Sequence, residues 1–327
     1  MPVIVDAMGG DHAPHEIVKG ALSAAQEFGI DVVLVGKEPE LAKFGINNPH
    51  IQLHHAESAV LMHENPARAV RSKPDSSIAV ATRLLKAGRG AALVSAGNTG
   101  AVMASAFLEL GAVKGIDRPA IATTIPTLDG SLIAIDCGAN VDCKPSQLLE
   151  FAHMGSLYAR HVLGVAIPRI GLLNIGTETG KGNALAKETQ KLLRASGLEF
   201  VGNVEGTQIF KGVVDVLVTD GFVGNIFLKT SEGLSEMFFH ALDEALKASG
   251  ADGAVAETVA KRLERYSCSN PANSGAPLLG VDGCVIIAHG ASRADTIKNA
   301  IALGHRYSES GALQFIREAC PDWSARA

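Results

Sequence analysis

Glycine- and asparagine-rich turns carry the residue types in this chain that could do chemistry. They are Asp6-Ala7-Met8-Gly9-Gly10-Asp11-His12, Ser95-Ala96-Gly97-Asn98-Thr99-Gly100 and Asp136-Cys137-Gly138-Ala139-Asn140-Val141-Asp142, then Asn174-Ile175-Gly176, Asp220-Gly221-Phe222-Val223-Gly224-Asn225 and His289-Gly290-Ala291-Ser292-Arg293. Glycine lets backbone N–H groups approach a ligand closely, and a helix N-terminus that follows favours an anion. Asn and Ser add neutral donors, but they also cap helices. A plain turn and cap therefore explains any one of these segments equally well. The case for a site rests on all of them, because each closes a short apolar run.

The segment Gly176-Thr177-Glu178-Thr179-Gly180-Lys181-Gly182-Asn183 sets a lysine between two glycines just after a buried strand. Such a lysine suits a phosphate contact; a solvated loop lysine fits the local pattern equally. It is not a Walker A loop, since Gly182 stands where the magnesium-binding hydroxyl belongs. Neither Gly9-Gly10 nor Gly97 to Gly100 completes a dinucleotide fingerprint. No serine sits in a G-x-S-x-G elbow, so a covalent serine or cysteine mechanism is not supported. His12 and His289 fall in strand-end turns, and His12 serves equally as a turn or cap residue. His54-His55 reads as a weak strand with one ring exposed.

The turns need elements to hold them. Apolar runs at Val3–Val5, Val32–Val35, Ala91–Val94, Ala120–Ile125, Leu132–Ile135, Ile170–Leu173, Val213–Val218 and Val285–Ala288 are near-continuous, as in strands buried on both faces. Helical stripes lie between most of them: Val18, Ala21, Leu22 and Ala25 behind Pro14, and Leu148, Ala152, Gly155, Ala159 and Val162. The alternation predicts a doubly wound α/β fold, a mostly parallel sheet with helices on both faces. Ligands of such sheets bind beyond the carboxyl ends of the strands, where these turns fall. We read one domain over 1–327. Residues 224–266 break the rhythm as two successive helices, parted at Ser249-Gly250-Ala251-Asp252-Gly253. The pair either projects as a dimer or membrane element or packs on the body.

Composition sets further limits. With 47% apolar residues in 327, the core is ample. Net charge is −5 and aromatics are 5%, which disfavours a nucleic-acid partner. Five cysteines, an odd number with no C-x-x-C pair, read as free thiols in a reducing compartment rather than as a disulfide framework or zinc site. The N-terminus enters a strand at once, with no signal-peptide pattern, and no apolar stretch is long enough to span a bilayer. The expected location is cytoplasmic.

Taken in order, these segments closely resemble the bacterial phosphate acyltransferase family of phospholipid synthesis, whose members make acyl-phosphate from acyl–acyl carrier protein and inorganic phosphate. The match is carried by Asp6 to Pro14, Ser95 to Gly100, Gly138-Ala139-Asn140-Val141-Asp142-Cys143-Lys144-Pro145, Gly171 to Gly176 and Lys181-Gly182-Asn183. It continues through Gly202-Asn203-Val204-Glu205-Gly206, Asp220-Gly221-Phe222, Gly224-Asn225 and Gly275-Ala276-Pro277-Leu278-Leu279-Gly280. It runs over nearly the whole chain. Two places depart from the family: Asn270-Pro271-Ala272-Asn273-Ser274 replaces an acidic or tyrosine-bearing glycine stretch, and Thr177 replaces an acidic residue.

The resemblance implies a sheet related to phosphotransacetylases and isopropylmalate-type dehydrogenases. It also implies a homodimer, no metal or other cofactor, and peripheral association with the cytoplasmic membrane, where a glycerol-3-phosphate acyltransferase uses the product. For the chemistry, we expect Lys181 to neutralise phosphate and Asn98, Asn140, Asn174 and Asn225 to donate to phosphate or oxyanion. Backbone N–H groups at Gly9, Gly10, Gly97, Thr99 and Gly100 would join them, and His12 would protonate the departing thiolate. Asp6, Asp136 and Asp220 would orient turn backbones, since further carboxylates repel phosphate. An acidic carrier calls for a local basic surface. Arg68, Arg71, Lys73, Arg83, Lys86 and Arg89, set against Glu64 and Asp75, form either that surface or a solvated helix face. The helix at Ala254–Tyr266 mixes apolar and basic residues and suits either an anionic membrane surface or a dimer interface. The rival readings are a coenzyme A-dependent phosphotransacylase and a non-enzymatic regulator that binds acyl-phosphate.

Overall fold

Val3-Ile4-Val5 and Val32-Val33-Leu34-Val35 offer no polar face, and side chains alternate across a strand, so both faces need cover. They are neighbouring parallel strands, buried at every residue. The computed structural model describes residues 1–250, 253–267, 270 and 274–323. In chain order they form β1 (Val3–Asp6), α1 (His15–Phe28), β2 (Val32–Gly36), α2 (Glu38–Leu41), β3 (Ile51–His55), α3 (Pro66–Ser72), α4 (Ser77–Lys86), β4 (Ala92–Ser95), α5 (Thr99–Glu109), β5 (Ala120–Thr127) and β6 (Gly130–Ile135). Then come α6 (Pro145–Val162), β7 (Arg169–Leu173), α7 (Ala184–Ala195), β8 (Glu199–Val204), β9 (Val216–Val218), α8 (Gly221–Ala248), α9 (Gly253–Glu264), β10 (Ala276–Leu279), β11 (Val285–Ile287), α10 (Ala294–Glu309) and α11 (Ala312–Trp323).

Where the sequence reads as one domain over 1–327, the chain divides into two compact units. The first comprises Met1–Ala122, Leu157–Ala166 and Ser274–Ala327. Its strands run β3-β2-β1-β4-β11-β10, parallel except that β10 opposes both β11 and the first residues of β5. The turns after β1, β4 and β11 therefore share one edge. Ile4, Ile17, Leu34 and Leu93 are essentially sealed from solvent, each contributing about 1.5–3 kcal/mol over exposure. Tyr158 meets Tyr307 edge-on at 5.5 Å between ring centroids.

The second unit comprises Thr123–Ser156 and Ile167–Asn273, with strand order β5-β6-β9-β7-β8. Strands β6, β9, β7 and β8 are mutually parallel, so their carboxyl-end turns also share an edge. Leu132, Ile133, Ile135, Phe151, Ile170 and Val216 form its core.

Two strands escaped the sequence reading. β8 is an edge strand whose Glu199, Gly202 and Asn203 interrupt any apolar run, and β10 contains Pro277. The helical pair expected over 224–266 is α8 and α9. α8 starts earlier, because Asp220 Oδ1 accepts from the Val223 N–H and turns Gly221–Gly224 into the first helical turn. Leu234, Met237 and Phe238 are exposed along α8, as is Val255 on α9. Among the described residues, no helix is long and apolar enough to cross a membrane. Of the divergent segment 270–274, Pro271, Ala272 and Asn273 lie outside the described residues, as does Cys268.

Candidate active site

In the first unit, β1 delivers Asp6 to the strand edge, where it is 2% exposed. Its Oδ2 accepts from the Ser95 hydroxyl at 2.7 Å and its Oδ1 from the Met8 N–H at 3.2 Å. The Ser95 oxygen in turn accepts from the Gly97 N–H at 3.1 Å. Burial pushes the Asp6 carboxyl above its usual range, while hydrogen bonds from Ser77, Ser95, Met8 and Gly9 oppose the rise. One carboxylate thus gathers the turns after β1 and β4 and the start of α4. A Cβ on Gly9 would lie 2.6 Å from Asp6 Oδ2 and 2.8 Å from the Gly97 nitrogen, so only glycine fits that approach. The Asp11 N–H donates to the Gly290 carbonyl at 2.8 Å and joins the third turn to the first.

This arrangement corrects the role expected of Asn98. Both its N–H bonds are occupied, by the carbonyls of Met62 (2.8 Å) and Glu64 (3.2 Å). Its Oδ1 accepts from Ala101 N–H at 3.1 Å as the cap of α5. Asn98 is a clamp, not a free donor to phosphate. Thr99 and Gly100 are the first two residues of α5, so their N–H groups lack intrahelical acceptors. The His12 ring is half-buried and makes no hydrogen bond among the described residues. His289 Nδ1 accepts from the Ala291 N–H at 3.2 Å, which leaves Nε2 to carry the proton.

The second unit repeats the device at β6. Asp136 is fully buried. Its Oδ1 accepts from the Ala139 N–H (3.0 Å), and its Oδ2 from Asn140 N–H (2.7 Å) and Asn140 Nδ2 (2.9 Å). The Gly221 N–H donates to the Asn140 carbonyl at 2.7 Å, so the turns after β6 and β9 are joined. A Cβ on Gly224 would stand 1.9 Å from the Asp136 carbonyl oxygen. One turn into α8, Asn225 is exposed, and its Oδ1 lies over Gly138. Its side chain makes no hydrogen bond among the described residues. Asp6, Asp136 and Asp220 all hold backbone amides, as expected of them.

The turn after β7 carries Lys181, half-exposed, with Nζ 3.8 Å from Glu178 Oε1. Asn174 is engaged within its own turn. Its Nδ2 donates to the Lys181 carbonyl at 3.1 Å and its Oδ1 accepts from the Ile175 N–H at 2.8 Å. Asn183 caps α7. Apolar side chains stand exposed on the same turns: Val141, Ile175, Phe222, Val223 and Ile226.

The sulfur chemistry stays quiet. Burial pushes the Cys137 thiol up to about 12 and Cys143 up to about 11, so both are protonated and poor nucleophiles near neutral pH. On α3 and α4 the basic residues are partly neutralised. Lys73 pairs with Glu64 at 2.8 Å, and Glu109 of α5 lies 3.7 Å from Arg83 and 3.8 Å from Lys86. Arg68, Arg71 and Arg89 remain exposed. A reading of residues 64–90 alone could not see Glu109. It also missed Ser77, whose hydroxyl reaches Asp6 with no local motif to mark it.

The family model described as "Fatty acid synthesis protein" matches residues 1–314. A phosphate acyltransferase of Desulfitobacterium hafniense is 48% identical, over 99% of both chains. One from Geobacter sulfurreducens is 48% identical over 97% of this chain and 94% of its own, and one from Dictyoglomus turgidum is 50% identical over 94% of each. Among solved structures, a phosphotransacetylase from Streptococcus pyogenes shares the fold with a TM-score of 0.60 at 17% identity, covering 94% of both chains. A 4-hydroxythreonine-4-phosphate dehydrogenase from Klebsiella pneumoniae does so with a TM-score of 0.55 at 15% identity, over 94% of this chain and 99% of its own.

Proposed function

The chain belongs to the fatty acid synthesis protein family, on its phosphate acyltransferase side, and on that premise we propose that it moves a fatty acyl group from acyl–acyl carrier protein to inorganic phosphate for phospholipid synthesis. A phosphate oxygen attacks the thioester carbonyl carbon, the C–O bond forms, the C–S bond breaks, and the carrier thiolate leaves and takes a proton. Phosphate is itself the nucleophile, in keeping with thiols held protonated by burial.

One observation carries the reading: Lys181 and Asn225 keep donors unoccupied on turns at one strand edge. Lys181 neutralises phosphate and the charge that develops on it. Asn225 Nδ2 donates to the oxyanion, whereas Asn140, whose backbone N–H and Nδ2 both donate to Asp136, is not the free donor expected of it. The exposed Val141, Ile175 and Phe222 give the acyl chain an apolar bed beside those donors. In the first unit, Gly9, Gly10, Gly97, Thr99 and Gly100 offer N–H groups to an anionic substrate group, and His12 supplies the thiolate's proton. Arg68, Arg71, Lys73, Arg83, Lys86 and Arg89 receive the acidic carrier. The exposed faces of α8 and α9 serve a homodimer or peripheral contact with the cytoplasmic membrane. There the product passes to a glycerol-3-phosphate acyltransferase.

The test supplies phosphate with either acyl–acyl carrier protein or acyl-coenzyme A and reads acyl-phosphate by mass spectrometry. Faster turnover of the carrier-bound donor is expected. Preference for the coenzyme A ester would make this a phosphotransacylase of another donor class. No acyl-phosphate from either donor would leave a non-enzymatic regulator.

A further inference from the structure

We propose that Asn203, a buried amide near the end of β8, is a positioning residue for Lys181; the proposal rests on Lys181 being the phosphate-binding cation. The turn between β7 and α7 contains Gly176, Gly180 and Gly182, and its one large apolar residue, Ile175, is 82% exposed. With nothing apolar to bury, its shape depends on polar tethers. Asn174 supplies two of them, to Ile175 and Lys181.

Two more come from outside the turn: Arg194 of α7 donates to the Thr179 hydroxyl at 3.2 Å, and the adjacent strand supplies the other. Asn203 Nδ2 donates to the Glu178 carbonyl at 2.9 Å. That same carbonyl accepts from the Lys181 N–H at 3.1 Å. Glu178 is therefore the node through which a residue on β8 fixes the backbone of the lysine. The lysine stem is laid down close by: a Cβ on Gly176 would stand 3.0 Å from Lys181 Cγ and 2.7 Å from Glu178 Oε2.

Two features argue that the amide donor is the reason for this residue. Asn203 is 7% exposed, and its Oδ1 is buried with no hydrogen-bond partner among the described residues. A buried acceptor left unpaired is unfavourable, so its retention points to the N–H on the other side of the amide. A flipped amide would set oxygen against the Glu178 carbonyl oxygen and repel it, which fixes the orientation. The strand itself is also adjusted. Register slips between Ile170 and Gly171, so that Ile170 faces Phe200 but Gly171 faces Gly202, with Gly202 at φ +112°. Beyond the extra residue Asn203 and Val204 are both buried, where the four residues before them are not. Such bulges re-aim side chains near active sites. Asn203 is buried and its amide donor is spent on Glu178, so it acts through the lysine rather than on substrate.

The test is a double-mutant cycle of Asn203→Ala and Lys181→Ala, assayed for acyl-phosphate, with Asn203→Ser as a milder variant that keeps a donor and tolerates the site. Asn203→Ala should lower kcat/KM for phosphate about 10- to 100-fold while the KM for the acyl donor holds. Asn203→Ser should recover part of that loss. In the Lys181→Ala background, Asn203→Ala should change nothing further. Losses that multiply in that background, or that fall equally on both substrates, would make Asn203 a general structural residue and overturn the proposal. Full activity in Asn203→Ala and Asn203→Ser beside an inactive Lys181→Ala would sink the positioning role alone. An active Lys181→Ala would sink the lysine reading and this proposal with it.

Discussion

Each unit ends a buried strand in an aspartate that gathers backbone amides, yet the two turns differ in what they leave over. Around Asp6 the serine and the asparagine of the turns are engaged. Ser95 holds the carboxylate, and Asn98 clamps Met62 and Glu64 while capping α5. What remains to a ligand is backbone N–H and the His12 ring. Around Asp136 the backbone is drawn in just as tightly, but Asn225 keeps its amide free and Lys181 keeps its ammonium half-exposed. The same device, a desolvated carboxylate with glycine beside it, builds a frame in one unit and presents side-chain donors in the other.

The sharpest way to break that contrast is to delete one side chain from each unit. Lys181→Ala should cut kcat by about a thousandfold, the scale of losing a donor to developing charge. Asn98→Ala should leave kcat within a few-fold and lower stability by about 1 kcal/mol, as for a lost helix cap. If the two variants ranked the other way in a steady-state assay, the assignment of chemistry to the second unit would fail. Next in size is Gly224→Ala, which forces a methyl into the Asp136 carbonyl. Urea unfolding should show a loss of about 3 kcal/mol, as expected of overpacking, and an unchanged midpoint would refute the close approach.

A pH series separates the units in a different way. Asp6 has a raised pKa because it is buried, so its contribution to stability is fully present below its unfolded value of 3.8 and is lost as pH rises through its folded value. Asp215 of the second unit goes the other way. Burial raises its pKa, but hydrogen bonds and the charge of Arg169 outweigh this and hold it low, so its contribution is present above 3.8 and lost as pH falls through the folded value. Melting temperatures of Asp6→Asn and Asp215→Asn, each referenced to the parent across this range, should therefore slope in opposite senses. Parallel curves would contradict the two environments. The smallest effect is expected from Arg83→Glu with Lys86→Glu, a several-fold rise in KM for the carrier-bound donor at low salt that fades as salt is added. Because Glu109 already pairs with both, an unchanged KM would move the docking face elsewhere.

How far the residues alone could be read follows the same divide. Strands buried on both faces, such as Val3–Val5 and Leu132–Ile135, declare themselves because no polar residue interrupts them. β8 does not, because an edge strand with a bulge alternates Glu199, Gly202 and Asn203 with apolar residues. The turns were legible as places, since glycine and asparagine mark where backbone comes close. Their roles were not. An asparagine that caps a helix, one that braces its own loop and one whose amide stays exposed look alike in sequence, and Asn98, Asn174 and Asn225 are one of each sort by their hydrogen bonds and exposure. Ser77 and Glu109 act across the fold and leave no local trace.

The place of β11 has a consequence for how the chain is made. It pairs with β4 through Val285 and Leu93, inside the first unit, although among the described residues it is the last strand to leave the ribosome. Until Ile287 has been synthesised, one edge of β4 offers unpaired backbone groups to any passing strand. The segments of the second unit, by contrast, are all translated before that edge is closed. Lys181 and its turn can thus be in place on a nascent chain whose first unit is still open. A message cut short before codon 285 would yield a sticky fragment rather than a smaller enzyme.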